Sequence, residues 1–320
     1  MTAAALPLAT ALLLTVAGPT LLRRLGRVSG LAPGGLLAVW TLATVAWLLT
    51  WVALVVTLVA QTMGPGLKGV ITACVTLLQA LHRNGAESAV ALTVLGAAVA
   101  AVRLAWVGLR RARGSRRWRR DHHRGLTARG RVGAVGGRRV WLVENDRPDV
   151  YCVPGRGAGI VVTRGAAEAL SAAEMRAVLA HEQAHLRGRH HLLVAWVDLL
   201  DSAFPRVPLL RAAAREVPVL VEWAADDQAA RSAGVRPLVH AIGAMVATAT
   251  ADRSTAALAA SGACTVQRVR RLLRPDTPCT ATARCPLVTT AALAALLVPP
   301  VLMLVWTTVG VAATQCACTI

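Results

Sequence analysis

Two histidines and a glutamate lie within the run His181-Glu182-Gln183-Ala184-His185, which has the form HExxH. On a helix, residues four apart share one face, so His181 and His185 can present two imidazoles to one Zn²⁺ ion. Glu182 then stands beside them as a general base. The motif therefore predicts a zinc centre of the kind that hydrolyses peptide bonds.

This geometry requires a helix, and the residues around the motif predict one. Ser171 and Glu174 have the spacing of a capping box, which marks a helix N-terminus just before residues 175–186. Apolar residues within that segment fall at helical spacing (Met175, Val178, Leu179 and Leu186). One side of the helix is therefore expected to pack against a core while the imidazoles face a cleft.

A catalytic zinc site needs a third protein ligand and one open position. In the segment VEWAADD, Glu222 and Asp226 lie one helical turn apart. Glu222 is predicted as the third ligand, and Asp226 as the acceptor for the outer N–H of a ligand histidine. His191 is the alternative third ligand, because residues 181–191 also have the form HExxHxxGxxH. Glu222 is preferred because the chain continues from His191 into an apolar run.

The composition indicates a membrane protein: 55% of the residues are hydrophobic and only 16% are charged, and the mean hydropathy is +0.54. Apolar runs long enough to cross a bilayer occur at residues 3–22, 36–60, 89–109 and 287–313. A shorter apolar stretch at residues 67–81 is expected to be interfacial or re-entrant. Four transmembrane helices are therefore predicted.

Arginine clusters predict the orientation of these helices. No charged residue precedes the first apolar run, and several arginines follow it, so this run is expected to remain as an anchor with the N-terminus outside. Arg-rich tracts at 110–131 and 268–274 then place the HExxH motif in the cytoplasm. The tract at 110–131 adjoins a predicted span and contains a single aromatic, so contact with anionic lipid is expected there rather than nucleic-acid binding, despite a net charge of +19.

The predicted fold class is mainly α, a polytopic protein of a bacterial plasma membrane with an α+β zinc-protease domain between the third and fourth spans. The predicted parts are a membrane region at residues 1–109, a cytoplasmic domain at 110–286 and a fourth span with a short tail outside at 287–320. In the cytoplasmic domain, the β-type runs Arg139–Asn145, Tyr151–Val153 and Gly159–Thr163 predict a small antiparallel sheet. One of its edge strands is expected to pair with an extended peptide.

The segments YCVPGRGAGIVVTRGAAEALSAAEMRAVLAHEQAH and EWAADDQAA resemble the gluzincin core of two membrane families. One is the HtpX and CAAX prenyl protease family, and the other is the BlaR/MecR antirepressor family. The second resembles this chain in having three spans, a cytoplasmic zinc-protease domain and a fourth span. Its penicillin-binding sensor domain has no counterpart here, so β-lactam recognition through such a domain is not expected.

The resemblance implies a role for each matching residue. His181, His185 and Glu222 are the implied zinc ligands, Glu182 the base and Asp226 the supporting carboxylate. The implied substrate is a protein, by analogy a winged-helix repressor of the BlaI/MecI type. Membrane-protein quality control, as in HtpX, and a non-catalytic membrane scaffold are the competing hypotheses. His240, Arg231 and Tyr151 are the candidates for stabilising the oxyanion, and the sequence does not indicate an oligomeric state.

Overall fold

A computed structural model describes residues 2–28, 30–63, 87–155, 159–249 and 265–274. Its helices are α1 (Thr2–Val16), α2 (Gly18–Val28), α3 (Pro33–Met63), α4 (Glu87–Arg129), α5 (Arg164–Ala169), α6 (Ala172–Arg187), α7 (His190–Ala203), α8 (Pro208–Ala233) and α9 (Val235–Ala249), followed by α10 at residues 265–273. Its strands are β1 (Gly130–Val135), β2 (Arg138–Val143), β3 (Val150–Val153) and β4 (Gly159–Thr163).

Two helices are long and apolar enough to cross a membrane, at Pro33–Leu58 within α3 and Leu92–Ala128 within α4. The first predicted span, at 3–22, is a broken element: α1 ends at Val16, and α2 leaves it at an angle of 61°. The break has a chemical reason, because Pro19 has no N–H to continue the hydrogen-bond pattern and the arginines of α2 would be costly in hydrocarbon.

The described residues thus contain two apolar helices that could span a membrane, or three if the bent pair is one span. The predicted span at 287–313 and the predicted interfacial segment at 67–81 lie outside the described residues. The count of four spans and the cytoplasmic orientation therefore remain predictions.

The four strands form one mixed sheet in the order β1-β2-β4-β3. The prediction of an antiparallel sheet was wrong for the central pair, since β2 and β4 run parallel, with Trp141 opposite Val161. The reason is that β3 and β4 pair antiparallel, and β4 then inserts beside β2. Strand β1 was not predicted. It joins β2 through Gly136 and Gly137, both with positive φ, as a two-residue hairpin requires.

The sheet lies between two helices. One face carries buried Val140, Val150, Ile160 and Val162, which pack in one cluster with Met175, Val178 and Leu179 of α6. The other face packs on the end of α4, where Leu126 lies with Val153 and Val161. This sandwich places the edge strand β3 against the helix that carries the HExxH motif.

The apolar helix α3 and the helices beside the motif share one core. A single buried cluster contains residues of α3 (Leu37, Val39, Trp40, Ala43, Trp47) together with residues of α7 and α8 (Val197, Leu200, Leu209, Leu210, Val217). Hydrogen bonds cross the same contact, as Trp196 Nε1 of α7 donates to Thr44 Oγ1 of α3 over 2.9 Å. Helix α8 is therefore held by the apolar helices along the half that precedes Glu222.

Candidate metal centre

Helix α6 begins as its sequence predicts. Ser171 is the N-cap and its hydroxyl accepts a hydrogen bond from the Glu174 N–H, while the Glu174 carboxylate accepts one from the Ser171 N–H. This reciprocal capping fixes the start of the helix. Buried Met175, Val178 and Leu179 then orient it against the sheet, so that the HExxH residues stand three turns into a well-anchored helix.

Three predicted ligands meet beside α6. His181 Nε2 lies 3.0 Å from His185 Nε2. Glu222, from α8, places Oε2 at 3.5 Å from His181 Nε2 and Oε1 at 3.5 Å from His185 Nε2. One ligand atom from each of the three residues lies within 4.8 Å of the others. Helices α6 and α8 pack against each other. The three predicted ligands are therefore brought together by the packing of two helices and not by one helix alone.

The outer nitrogen of each histidine has its own partner. His181 Nδ1 lies 3.1 Å from Oδ1 of the fully buried Asp226, although the ring is turned so that the hydrogen bond is not well aligned. His185 Nδ1 lies 3.1 Å from His190 Nδ1. Both Nε2 atoms are thereby directed to the same side, toward Glu222, as a shared metal ion requires.

His190 was not predicted to be part of the site. Helix α6 ends at Gly188, and Arg189 has a left-handed backbone with φ of 49°, so the chain reverses there and α7 starts at His190. The turn places the His190 ring directly over Gly188, where a side chain would collide with it. His190 is buried as a result. The signal in the sequence was Gly188, which was considered only as part of the alternative ligand pattern.

Arg268 is a second residue that the sequence did not reveal. Its Nε and Nη2 donate to the two carboxylate oxygens of Asp226 at 2.8 and 2.6 Å, and its Nη1 lies 3.0 Å from Glu222. One turn on, Arg271 pairs in the same bidentate way with Asp227 at 2.6 and 2.8 Å. The tract at 268–274 was interpreted only as a topology signal. The indication in the sequence was the spacing of three residues between Arg268 and Arg271, which allows both arginines on one helix face to pair with Asp226 and Asp227.

The charges of the site are distributed unequally over the two histidines. Burial alone would lower the pKa of His181, but Asp226 and Glu222 outweigh it and raise this pKa to about 9. Burial lowers the pKa of His185 to about 4, helped by the charge of His181. A neutral His185 with a proton on Nδ1 can accept from His181 at Nε2 and donate to His190. This proton arrangement fits every distance in the cluster.

The pKa values of the three carboxylates at the site are also shifted in different directions. Burial would raise the pKa of Glu222, but hydrogen bonding from His181 and the charge of Arg268 lower this pKa overall. The pKa of Asp226 is lowered by the same two partners against the effect of burial. For Glu182, burial prevails and raises the pKa. Glu182 also interacts with the thiol of Cys152 on β3, and burial and this carboxylate together raise the pKa of Cys152 to about 12.

Other predicted candidates lie elsewhere. His191 is exposed and does not join the metal-ligand group found among the described residues. The Tyr151 hydroxyl lies 3.1 Å from His122 on α4, on the face of β3 opposite to Cys152. His240 lies 3.8 Å from Glu174 at the start of α6, and Arg231 donates to Gln228 at the end of α8. The structure thus brings none of the three oxyanion candidates to the cluster.

The donor set fits a zinc ion. Two imidazole nitrogens and one carboxylate are the ligands of a common class of catalytic zinc site, which leaves a fourth position open. The outer partners Asp226 and His190 supply the orientation that such ligands need. The low pKa of Glu222 keeps it available as an anionic ligand at neutral pH.

The segment that holds the cluster is similar to a known protein family. No solved structure matches the chain. Residues 136–273 match the family described as Peptidase family M48. The matched segment begins at the β1–β2 turn and ends with α10, so it contains the HExxH helix, Glu222, Asp226 and Arg268. This similarity to family M48 supports a metallopeptidase domain at residues 136–273, and the described residues also include apolar helices long enough to cross a membrane.

Proposed function

We propose that the protein is a membrane-bound zinc endopeptidase with its site at His181, Glu182, His185 and Glu222. The observation that carries the proposal is the convergence of His181, His185 and Glu222 from two helices within 4.8 Å. Bound there, zinc would supply a Lewis acid that acidifies water and polarises the scissile carbonyl. The two histidines and Glu222 hold it, and Asp226 and His190 orient those histidines.

Glu182 acts as the proton carrier. It follows His181 directly on α6, and burial raises its pKa, which makes the carboxylate a stronger proton acceptor. It accepts a proton from the attacking water and later delivers it to the nitrogen of the leaving amine. Such a group contributes about 10²- to 10⁴-fold to the rate.

Strand β3 binds the substrate in this proposal. It is an edge strand of the sheet and contacts α6. Its Cys152 side chain interacts with Glu182, so the strand passes directly beside the proton carrier. An extended peptide that adds to the free edge of β3 by main-chain hydrogen bonds would carry its scissile bond past the cluster.

The first candidate substrate is a cytoplasmic regulatory protein of the winged-helix repressor type. Its support is the resemblance in the predicted order of spans and protease domain, together with the Arg-rich tracts that predict a cytoplasmic site. The second candidate is a damaged or unassembled membrane protein. One observation favours this second candidate: α7 and α8 share a buried core with α3. The site therefore lies next to the apolar helices, where a segment of a membrane protein that leaves the bilayer could reach it.

The experiment uses the full chain purified in detergent with zinc, together with Glu182→Gln and the matched surface variant Glu168→Gln. Cleavage of a candidate repressor and of an unfolded membrane protein is followed by mass spectrometry. We expect Glu182→Gln to retain zinc but lose at least about 10²-fold in rate, with Glu168→Gln unchanged. A Glu182→Gln variant that cleaves as fast as the wild type would refute the mechanism, and the preferred substrate separates the two candidates.

A further inference from the structure

A cationic cavity that shares no residue with the metal cluster lies between α2 and the start of α8. It has a volume of about 220 Å³ and is lined by Pro19, Arg23, Arg206, Pro208, Arg211, Ala212 and Arg215. A cavity of about 150 Å³ holds a benzene ring, so this one has room for a phosphate group. Four of its seven lining residues are arginines, whose planar guanidinium groups are suited to bind phosphate oxygens.

The positive charge of this cavity is mostly uncompensated. Arg23 is paired with Glu216 at 2.8 Å, and Arg211 donates to the backbone oxygen of Pro205 at 2.6 Å. Arg206 and Arg215 have no ion pair in the part of the chain that the structure describes. Pro208, Arg211 and Ala212 of the cavity lining belong to the start of α8. The positive end of the helix dipole at this position adds to the attraction for an anion.

The location of the cavity indicates the source of that anion. Helix α1 exposes Leu8, Leu12, Leu13 and Val16, which need an apolar surrounding, and α2 starts two residues after its end. Helix α2 separates arginines from exposed Leu21 and Val28, as helices at a membrane surface do. Pro19 and Arg23 therefore lie at the boundary between the apolar helix and water, at the depth of lipid headgroups.

We propose that this cavity binds the phosphate of an anionic phospholipid headgroup. The lipid phosphate would bridge α2 and α8, with Arg206 and Arg215 as its principal ligands and Arg211 beside them. Because α8 also carries Glu222, an occupied cavity fixes the position of the same helix that completes the metal cluster. Lipid binding itself does not depend on the peptidase activity.

The test is native mass spectrometry of the full chain in neutral detergent, titrated with phosphatidylglycerol or phosphatidylcholine. The cavity variant is Arg206→Gln/Arg215→Gln. Its matched control, Arg139→Gln/Arg236→Gln, removes the same charge from exposed positions on β2 and α9, outside the cavity and outside the Arg-rich tract at 110–131. We expect the wild type to retain phosphatidylglycerol in preference to phosphatidylcholine, the cavity variant to bind it at least about tenfold more weakly, and the control to change by less than about threefold.

Inorganic phosphate and glycerol phosphate are then added as competitors. Displacement of the lipid by either soluble anion shows that phosphate alone is recognised, whereas resistance to both shows that the acyl chains contribute. Equal loss in the cavity variant and the control, or equal retention of the two lipids by the wild type, would overturn the proposal. If the double variant does not melt cooperatively, Arg215→Gln alone replaces it in the same comparison.

Discussion

At the scale of single residues, His190 is the outer partner of His185, one of the proposed zinc ligands. For His185 Nε2 to bind zinc, its proton must sit on Nδ1, and the nearest acceptor is His190 Nδ1 at 3.1 Å. We expect His190→Leu to weaken zinc binding by about 10- to 100-fold, as the loss of such an outer partner does. His190→Asn places an oxygen close to the former Nδ1 and should restore most of the affinity.

The measurement is zinc affinity by competition with a chromophoric chelator, together with the visible spectrum of the cobalt-substituted protein, which reports the geometry of the ligands. His191→Leu is the matched control, since His191 is the exposed neighbour. An identical loss for His190→Leu and His190→Asn would mean that the ring packs but does not orient His185.

The pH dependence of zinc uptake follows from His181. Its pKa is raised from 6.5 to about 9 in the metal-free protein, so at pH 7 zinc must displace a proton. Zinc affinity should therefore rise by roughly tenfold per pH unit between pH 6.5 and 8.5 and level off above pH 9. His185 contributes nothing in this range, because its pKa is lowered to about 4.

The stability of the metal-free protein has the opposite pH dependence and decreases as the pH rises. Protonated His181 stabilises the metal-free fold, fully below pH 6.5, and this contribution is lost as the pH rises through about 9. Chelator titrations at several pH values test the first expectation, and urea unfolding of the metal-free protein tests the second. An Asp226→Asn variant should flatten both profiles, and wild-type profiles that are already flat would contradict the raised pKa.

Site residues could be predicted from the sequence only where they lie close together along the chain. His181, Glu182 and His185 lie within one helical turn, and Glu222 with Asp226 within another, so a helical period was enough to group them. His190 is different because its place depends on a single left-handed residue, Arg189. Arg268 is 42 residues away from Asp226, and no local pattern brings α10 to α8.

At the scale of elements, the junction of α6 and α7 holds the site together through the absence of a side chain at Gly188. A methyl group there would overlap the His190 ring and approach the Ala184 carbonyl oxygen. We expect Gly188→Ala to displace His190 and to lower zinc affinity at least about tenfold. Gly114→Ala on α4 is the control, since nothing lies within 4 Å of its position, and it should slightly stabilise the helix.

A double-mutant cycle identifies the cause of this loss. If Gly188→Ala acts through the ring, it should have little further effect in a His190→Ala background, because the atoms that it would strike are gone. Zinc affinity of the four proteins provides the coupling energy. If the losses of zinc affinity are additive, the Gly188→Ala substitution acts through the end of helix α6 and not through the His190 ring.

Elements were predicted from sequence where one signal dominated. The capping box located the start of α6, and three of the four strands were found within one or two residues of their bounds. Strand β1 was missed because it follows the Arg-rich segment without a break, although Gly136-Gly137 is a strong hairpin signal. The parallel pairing of β2 with β4 could not be predicted from the local sequence. It depends on which strand lies beside β4 on the side away from β3.

At the scale of the whole molecule, the apolar helices and the peptidase domain form one unit. The sequence predicts a cytoplasmic domain at residues 110–286, with its boundary at the Arg-rich tract, and that prediction is not tested by the fold. The buried cluster crosses that boundary: Leu209, Leu210 and Val217 are fully buried in a cluster that includes residues of α3. Helix α3 thus packs directly against the helix that carries Glu222, the proposed third ligand.

The fragment 110–286 expressed alone should accordingly fail to fold. Without α3, the apolar side chains of α7 and α8 would face water, at about 25 cal/mol for each Å² left uncovered, and the loss is large against a total stability of about 5–15 kcal/mol. We expect an aggregated fragment without bound zinc, and recovery of zinc binding when residues 1–109 are co-expressed in the same membrane. In the full chain, Trp196→Phe, which removes the hydrogen bond to Thr44, should lower stability by only about 0.5–1.5 kcal/mol. A monomeric fragment that binds zinc and melts cooperatively would show that the shared core is dispensable and that the peptidase domain folds by itself.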